Sequence, residues 1–326
     1  VKRTNDIDMI ETYTNNNLYT IEHFTHTPYL MCFNKLGDDK IETFYGKWCG
    51  QSFINHLKSN ERKKISNVNK WLKKFDGDKK LNKFGKPNRN YGKIGEILLV
   101  AHNSKYDTAF IKDYILKFMP LNRGSSQLNA SGVLYITNEF WVEINIQDSY
   151  CLIPEPLRNF RKMFNMPVGK EEVMPYDLYT EENVSKKYVD LDICLKYVSK
   201  IEVDNAEKIF IDNCNKWSCF DELKKVNILE YSKRYCEIDV EVLKTGYLSF
   251  QKDIKKICDL NIVNYCSMAS LGYDSLIKSG CLEGCYKLSG VPREFLQKFV
   301  VGGKCMTRDN KKWIYEGTYN EDKKEW

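Results

Sequence analysis

The sequence predicts an α/β domain in which a mixed β-sheet is flanked by helices, and two patterns along its 326 residues support this fold class. A short apolar strand, EILLVAHN, runs directly into a segment with helical spacing, TAFIKDYILKFM. An alternating stretch, GVLYITNEFWVEINIQDSY, then predicts an antiparallel hairpin that turns near Asn138. Strands followed by strand–helix units build a mixed sheet, and 42% hydrophobic residues are enough for a packed core.

The chain begins with two strand-like segments within residues 7–33, DMIETYT and PYLMCFN, which we expect to pair as a hairpin or meander. Between residues 57 and 92 the composition shifts to Lys, Arg and Asn. This segment is either a solvated, partly helical insertion or a basic arm on a nucleic-acid track, and the two interpretations are compatible. In the second, interleaved aromatic residues stack on bases: Trp71, Phe75, Phe84 and Tyr91. Residues 180–258 are rich in helical patterns.

Charge and cysteine content narrow the class of protein. The chain carries 50 Lys and Arg against 44 Asp and Glu, a formal charge of +6, so the position of basic clusters matters more than the total. Its 12 cysteines are scattered without zinc-like spacing, which predicts reduced thiols in a compartment such as the cytoplasm, a mitochondrion or a virus factory.

No apolar run reaches the ~20 residues of a membrane span, so we expect no membrane partner. From the start at Val1 and the charged end at Trp326 we expect part of a longer protein.

Polar residues lie at the junction between the EILLVAHN strand and the following helical pattern. Asp107 is the first candidate for chemistry, because α/β folds place their sites at the ends of buried strands. Asn103 and Tyr106 add an amide and an aromatic face beside it. The alternative is that Asp107 is only the N-cap of the next helix, a common role for a single aspartate.

A second pair of polar residues falls on a predicted helix. Tyr235 and Asp239 are four residues apart, so they share one side of that helix. A hydrogen bond between them on an ordinary helix is one interpretation. The other is phosphodiester hydrolysis, in which carboxylates from several segments hold two hard cations ~4 Å apart and a phenol orients the attacking water.

Taken together, these residues resemble the 3′–5′ exonuclease domain of family B DNA polymerases, in the protein-primed branch found in phages, linear plasmids and virus-like mobile elements. The second exonuclease motif of that branch is N-x-x-(F/Y)-D, usually H-N-x-x-(F/Y)-D-x-x-F-I, and residues 102–111 read HNSKYDTAFI. The third motif is Y-x-x-x-D, matched by Tyr235 and Asp239. The resemblance implies a ribonuclease H-like fold, proofreading during DNA replication, and a two-metal site for Mg²⁺ or Mn²⁺.

The resemblance also implies roles for individual residues. Glu11, Asp107 and Asp239 are the implied metal ligands, and Tyr235 and Arg158 complete the catalytic set, with Arg158 in place of the usual lysine. Implied contacts to the single-stranded primer 3′ end and to primer–template DNA come from a larger group: Thr12, His102, Asn103, Tyr106, Phe110, Ser149, Gly302 and Gly303. Of these, Ser149 lies in DSYCLIPEPLRNFRKMFNM, and the glycines lie in VVGGKCMTRDNKK, which resembles the junction before the palm domain.

The resemblance implies a division of the chain into two parts. Residues 1–255 form the exonuclease-like domain, with 57–92 as an insertion, and residues 256–326 form a helical connection and the glycine junction. The polymerase motifs D-x-x-S-L-Y-P and Y-x-D-T-D do not occur in the sequence. We therefore expect an enzyme fragment that lacks the polymerase carboxylates and works with the remainder of the polymerase and with a terminal priming protein.

The first exonuclease motif departs from the family pattern. It should read D-x-E-T, but Met9 occupies the position of the first aspartate, two residues before Glu11. A thioether is a poor ligand for Mg²⁺, so one hypothesis is a domain with reduced or absent nuclease activity that still binds the primer 3′ end. The other is an active nuclease in which Asp8 replaces the missing carboxylate, which needs a β-bulge because Asp8 and Glu11 lie on opposite faces of a regular strand.

Three further hypotheses come from other classes. A stand-alone 3′–5′ exonuclease explains the carboxylates, but not the polymerase-like segment after residue 265. A non-catalytic single-stranded nucleic-acid-binding module explains the basic insertion and the aromatic residues, but it has no need of Tyr235 and Asp239 in register. A soluble α/β protein with coincidental motifs has to attribute three matches in order to chance.

Overall fold

The computed structural model describes residues 2–3, 8–14, 17–23, 26–65, 91–123, 127–166, 173–285 and 288–298, with side chains described from residue 26 onward except 122 and 123. Contacts between Cα atoms divide the chain into two compact units, Val1–Ser275 and Leu276–Trp326. The candidate residues on described elements all belong to the first unit. Most of the basic segment, residues 66–90, lies outside the described residues, as does the glycine junction.

The first strands pair as separate hairpins. In chain order they are β1 (Lys2–Arg3), β2 (Asp8–Thr14), β3 (Asn17–His23), β4 (His26–Thr27), β5 (Leu30–Asn34) and β6 (Ile41–Tyr45). Strand β2 pairs with β3, β5 with β6, and β1 with β4, all antiparallel. Both predicted strands within 7–33 are therefore present, but the expectation that they pair with each other is wrong. The side-chain amide of Asn34 closes the turn after β5 by donating to the carbonyl oxygens of Asp38 (3.0 Å) and Lys40 (2.9 Å), which directs β5 toward β6.

A four-stranded mixed sheet forms the centre of the first unit. Helix α1 (Cys49–Lys64) precedes the sheet along the chain. The four strands of the sheet are β7 (Lys93–Ala101), β8 (Leu116–Arg123), β9 (Leu128–Tyr135) and β10 (Trp141–Asp148), and the short helix α2 (Lys105–Ala109) follows β7. The strand order is β7-β10-β9-β8, with β7 parallel to β10 and the other pairs antiparallel. The predicted α/β class with a mixed sheet is confirmed, and so is the hairpin near Asn138, where Thr137 Oγ1 accepts from the Phe140 N–H (3.0 Å).

Two local predictions around the sheet need correction. The segment TAFIKDYILKFM is not one amphipathic helix, because α2 ends at Ala109 and strand β8 begins at Leu116. Its apolar spacing arises because Ile111 and Ile115 are buried in the sheet core within this short connection. The EILLVAHN strand is half-buried rather than buried: β7 has one hydrogen-bonded neighbour among the described strands, and Leu98 is 39% exposed.

Helices dominate the second half of the chain, as predicted for residues 180–258. The elements are α3 (Leu157–Met163), α4 (Glu181–Lys186), β11 (Tyr188–Asp190), α5 (Leu191–Val198), α6 (Ala206–Lys216), β12 (Lys225–Asn227), α7 (Ile228–Cys258), α8 (Met268–Lys278) and α9 (Gly290–Gln297). Helix α7 has 31 residues and begins where the Asn227 side chain accepts from the Glu230 N–H (3.1 Å). This cap satisfies one of the free donors at a helix start.

Gln147 on β10 attaches α7 to the sheet. Its side-chain oxygen accepts from the Tyr247 hydroxyl of α7 (2.5 Å), and its amide donates to the carbonyl oxygens of Ile262 (3.0 Å) and Tyr265 (2.7 Å). The side chain is buried, so these bonds satisfy polar atoms that water does not reach. They hold the central helix against the end of β10, where the candidate residues gather.

Candidate nuclease site

Two parallel strands end at the same edge of the sheet and bring the second motif to a buried aspartate. Strand β7 ends at Ala101, which is paired with Asp148 at the end of β10. The turn that contains Asn103 therefore lies beside Asp148, and the Asn103 N–H donates to Asp148 Oδ1 (3.0 Å). The carboxyl ends of parallel strands are where α/β folds place their sites, as the sequence predicted for Asp107.

Asp107 lies in an open but recessed position. The residue is exposed, yet the surrounding protein raises its pKa from 3.8 to about 6, with burial as the largest cause, followed by the negative charges of Asp148 and Asp239. Asp148 and Asp239 are thus near enough to act electrostatically on Asp107, and we call these three residues the carboxylate cluster. The N-cap of α2 is Ser104, so the alternative in which Asp107 caps this helix is wrong.

Tyr235 and Asp239 lie on one side of α7, as their spacing predicted. Asp239 is half-buried and contributes to the cluster, whereas Tyr235 is buried with its hydroxyl 3.4 Å from the hydroxyl of Tyr176. Tyr176 is 66% exposed, so an aromatic surface lies next to the buried phenol. Sequence reasoning missed Tyr176 because it lies in a short turn after Pro175, where no periodic pattern marks it.

Three rings from two separate segments meet beside Asp107. Tyr106 is 45% exposed, its ring packs edge-on against Phe110 (centroids 5.0 Å apart), and His26 packs edge-on against it (5.8 Å). The Tyr106 hydroxyl is 3.4 Å from His26 Nδ1, long for a hydrogen bond. Burial, and to a lesser extent the charge of Asp107, raise the pKa of Tyr106 to about 12. His26 was not among the predicted site residues, because its contact with Tyr106 is remote in sequence.

His102 and Ser149 interact with each other behind the cluster. The Ser149 hydroxyl donates to the Ala101 carbonyl oxygen (2.9 Å), so its contact with His102 Nδ1 (2.9 Å) uses a proton on that nitrogen. Ser149 is buried, and the His102 ring packs edge-on against Phe160 (5.3 Å). These two residues support the turn from inside, and their predicted DNA contacts stay predictions.

The remaining predicted residues lie on other elements. Arg158 is an exposed residue of α3. Met9, Glu11 and Thr12 belong to β2, whose side chains lie outside the described part of the structure. The β2–β3 pairing continues without a register shift from Asp8 to Thr14, so no bulge re-aims Asp8 within this strand pair. Gly302 and Gly303 lie outside the described residues.

The chemistry of the carboxylate cluster suits a hard cation. Among the described residues no group of three His, Cys, Asp or Glu side chains is arranged to hold a metal ion, and the implied third ligand, Glu11, lies outside the described side chains. Carboxylate oxygens are the ligands that Mg²⁺ and Mn²⁺ prefer. Burial is the largest cause of the raised pKa of Asp107, and the negative charges of Asp148 and Asp239 add to it. A cation would offset that repulsion, so the chemistry of Asp107 and Asp239 fits a metal site.

The sequence matches a known family over well more than half of its length. Residues 88–320 match the family described as DNA polymerase type B, organellar and viral. The chain belongs to this family of type B DNA polymerases. The matched range contains residues 102–111 and the Tyr235 and Asp239 pair, and it begins after Met9 and Glu11.

One curated relative of this type B polymerase chain is a DNA polymerase from Kluyveromyces lactis. The two are 25% identical over 194 residues, which cover 55% of this chain and 18% of the relative. The chain thus spans less than a fifth of the length of the relative that it matches. No solved structure matches the chain. Within the described residues, every helix is too short or too polar to cross a membrane.

Proposed function

We propose that this chain is the 3′–5′ exonuclease part of a protein-primed family B DNA polymerase and that it binds the single-stranded 3′ end of the primer during proofreading. The proposal includes a ribonuclease H-like fold for residues 1–255 and a connection toward the palm domain over 256–326. Its main support is that Asp107 and Asp239, from two motifs more than a hundred residues apart, lie near enough for the charge of Asp239 to raise the pKa of Asp107. Membership of the type B polymerase family supports the same activity.

The exposed groups around the cluster suit a single strand better than a duplex. Tyr106 and Tyr176 each present exposed aromatic surface, Tyr176 next to the buried Tyr235, and base stacking on such rings contributes about 1–3 kcal/mol per base. Asn103 lies in the turn beside Asp107, where an amide can contact a terminal nucleotide. The terminal phosphodiester would then lie near Asp107 and Asp239.

In this proposal the residues of the chain divide the chemistry between them. Asp107 and Asp239, with Glu11, would hold Mg²⁺ or Mn²⁺, which supplies the charge that activates water for phosphodiester cleavage. Tyr235 would orient that water, and Arg158 would act near the scissile phosphate. Met9 cannot replace a carboxylate ligand, and the unshifted β2–β3 register gives no support to a bulge that re-aims Asp8. We therefore propose weakened cleavage with retained binding.

A cleavage and binding assay tests this function. Purified chain is incubated with 5′-labelled single-stranded DNA and Mg²⁺ or Mn²⁺, alongside Asp107→Ala, Met9→Asp and Asp192→Ala. Asp192 is an exposed aspartate of α5 outside the cluster, so its variant should behave as wild type. We expect all four proteins to bind the strand, with Met9→Asp cleaving fastest and Asp107→Ala not cleaving.

The outcomes separate the alternatives. Strong wild-type cleavage that Asp107→Ala abolishes and Met9→Asp does not increase would support an active exonuclease with an intact site. Binding without cleavage in every variant would support a single-stranded DNA-binding module. If no variant binds single strands, the proposed function is wrong.

Protein priming is the second part of the proposal and has a separate test. In replication primed by a terminal protein, the 5′ ends of the replicated DNA remain covalently bound to protein. We expect the DNA replicated by the complete polymerase to change its electrophoretic mobility after protease treatment. DNA with free 5′ ends would contradict protein priming and leave the exonuclease assignment standing.

A further inference from the structure

Asp148 is a fully buried carboxylate that accepts four backbone hydrogen bonds. Its Oδ1 accepts from the N–H groups of Asn103 (3.0 Å) and Tyr150 (3.0 Å). Its Oδ2 accepts from those of Ser104 (2.9 Å) and Leu128 (3.0 Å). Among the described residues no Lys, Arg or His forms an ion pair with it, so these N–H groups balance its charge.

The four donors belong to three different parts of the site. Asn103 and Ser104 form the turn after β7, Leu128 begins β9, and Tyr150 follows β10. Asn103 has a φ of +58°, in the left-handed region that asparagine adopts more readily than most other non-glycine residues. A bond from its N–H to a buried charge can hold that conformation. One side chain therefore fixes the turn that carries the second motif relative to two neighbouring segments.

The geometry also separates Asp148 from the other members of the carboxylate cluster. An ionised carboxylate offers about four lone-pair sites, and all four are used by the N–H groups. Asp148 thus has no lone pair left for a cation or for a hydrogen bond from DNA. Its role differs from that of Asp107, whose side chain lies in an open position.

The bonds around Asp148 extend beyond the turn. Its own N–H donates to Asn129 Oδ1 (2.8 Å), and the Asn129 amide donates to the Cys266 carbonyl oxygen (3.0 Å). Asp148 and Asn129 are both buried, so breaking these bonds leaves polar groups without water. A fully satisfied buried network of this kind therefore favours one conformation of the turn over alternative conformations that would break its hydrogen bonds.

We propose that Asp148 is a positioning residue of the nuclease site: it presents Asn103 and the start of α2 to the DNA 3′ end without touching DNA or metal itself. This inference rests on the proposed function for the role of the turn, but the preorganisation that it describes can be measured without DNA. In the sequence, Asp148 opens the segment DSYCLIPEPLRNFRKMFNM, which resembles a family segment, but no pattern there assigns it this positioning role.

Hydrogen–deuterium exchange of the wild-type protein without DNA gives the first test. The amides of Asn103, Ser104, Leu128 and Tyr150 should be protected in the free protein, and a single-stranded oligonucleotide should leave their protection unchanged. Rapid exchange that slows only when the oligonucleotide binds would show that DNA, not Asp148, orders the turn. That result would overturn the inference.

The second test uses Asp148→Asn, in which one oxygen becomes an amide that faces two N–H donors. We expect exchange to accelerate locally at these amides and the affinity for a 3′-ended oligonucleotide to fall on the order of tenfold. Val142→Ala is the control, because it opens a cavity in the same strand at a fully buried position far from the turn. Hydrogen exchange and DNA affinity of both variants are measured at a temperature well below the melting temperature of each variant.

The comparison distinguishes positioning from general stabilisation. The inference is wrong if the two variants lose equal amounts of unfolding free energy and Val142→Ala loses as much DNA affinity as Asp148→Asn. It is also wrong if Asp148→Asn binds DNA as tightly as the wild-type protein. If Asp148→Asn does not fold, the exchange test on the wild-type protein decides alone. Failure of the wild-type protein to bind DNA would refute the proposed function and leave the exchange result valid.

Discussion

Replacing Gly246 with alanine should separate two helices that hold the site together. Gly246 is buried on α7, seven residues after Asp239, and faces Phe160 of α3. A Cβ atom at this position would lie 2.3 Å from Phe160 Cδ2 and 3.2 Å from Met166 Cε, whereas ordinary contact begins at 3.4 Å. The ring or the helix must therefore move by about 1 Å, because protein interiors leave no spare volume of this size.

The cost follows from two opposing terms. Phe160 is fully buried, with its ring 5.3 Å from that of His102 and 5.4 Å from that of Phe164, so it cannot rotate into solvent. Overpacking of this kind costs about 1–3 kcal/mol. Alanine is better than glycine inside a helix by about 1 kcal/mol. The free energy of unfolding should fall by about 1 kcal/mol, and because Phe160 contacts His102, the affinity for a DNA 3′ end should fall with it.

Thermal or urea unfolding followed by circular dichroism measures the stability, and fluorescence anisotropy of a labelled oligonucleotide measures the affinity. Gly272→Ala is the matched control, since Gly272 also lies in a helix but has nothing within 4 Å of the added Cβ. The control should be as stable as wild type or more stable, by up to about 1 kcal/mol. If Gly246→Ala gains stability as the control does, the close packing of α3 on α7 is wrong.

Three further outcomes concern the charges and rings of the site. Asp239→Asn should lower the pKa of Asp107 from about 6, because it removes a negative charge that raises it, and an unchanged carbon NMR titration would place Asp239 too far away. Since folding raises the pKa of Asp107 above 3.8, the stability that this group contributes is present at low pH and lost as the pH rises toward about 6. Asp107→Asn should remove that part of the pH dependence in urea unfolding, and an unaltered profile would contradict the raised pKa. His26→Ala and Tyr106→Phe should be non-additive in DNA affinity because the two side chains touch, and full additivity would contradict their contact.

Local patterns in the sequence predicted much of the fold and part of the site. The alternation in residues 132–150 predicted the β9–β10 hairpin, because a strand pair with a short turn is decided within one segment. The four-residue spacing of Tyr235 and Asp239 placed both on α7 for the same reason. Asp107 was predicted from its place after a strand, a rule that needs only the order of neighbouring elements.

Features that depend on distant segments were missed. The TAFIKDYILKFM segment has helical spacing, but hydrogen bonds to β9 convert its second half into β8. Tyr176 and His26 reach the site only through the fold, from segments 59 residues before Tyr235 and 80 residues before Tyr106. Pairing partners of the first strands also depended on turn chemistry, because the amide of Asn34 closes the β5–β6 turn.

Asp107 and Asp148 show that the residue types in a carboxylate cluster do not by themselves reveal which of the carboxylates can bind a cation. Both are aspartates beside strand ends, and each lies close enough to influence the other. Hydrogen bonding and exposure distinguish them, because four N–H groups saturate the fully buried Asp148 while Asp107 is exposed. In the proposed metal site, Asp107 and Asp239 would therefore be the ligands that this cluster supplies, and Glu11 on β2 would be the further carboxylate. Under the proposed nuclease function, the identity of residue 9 would affect cleavage more than the size of the cluster suggests, so Met9→Asp is the informative substitution.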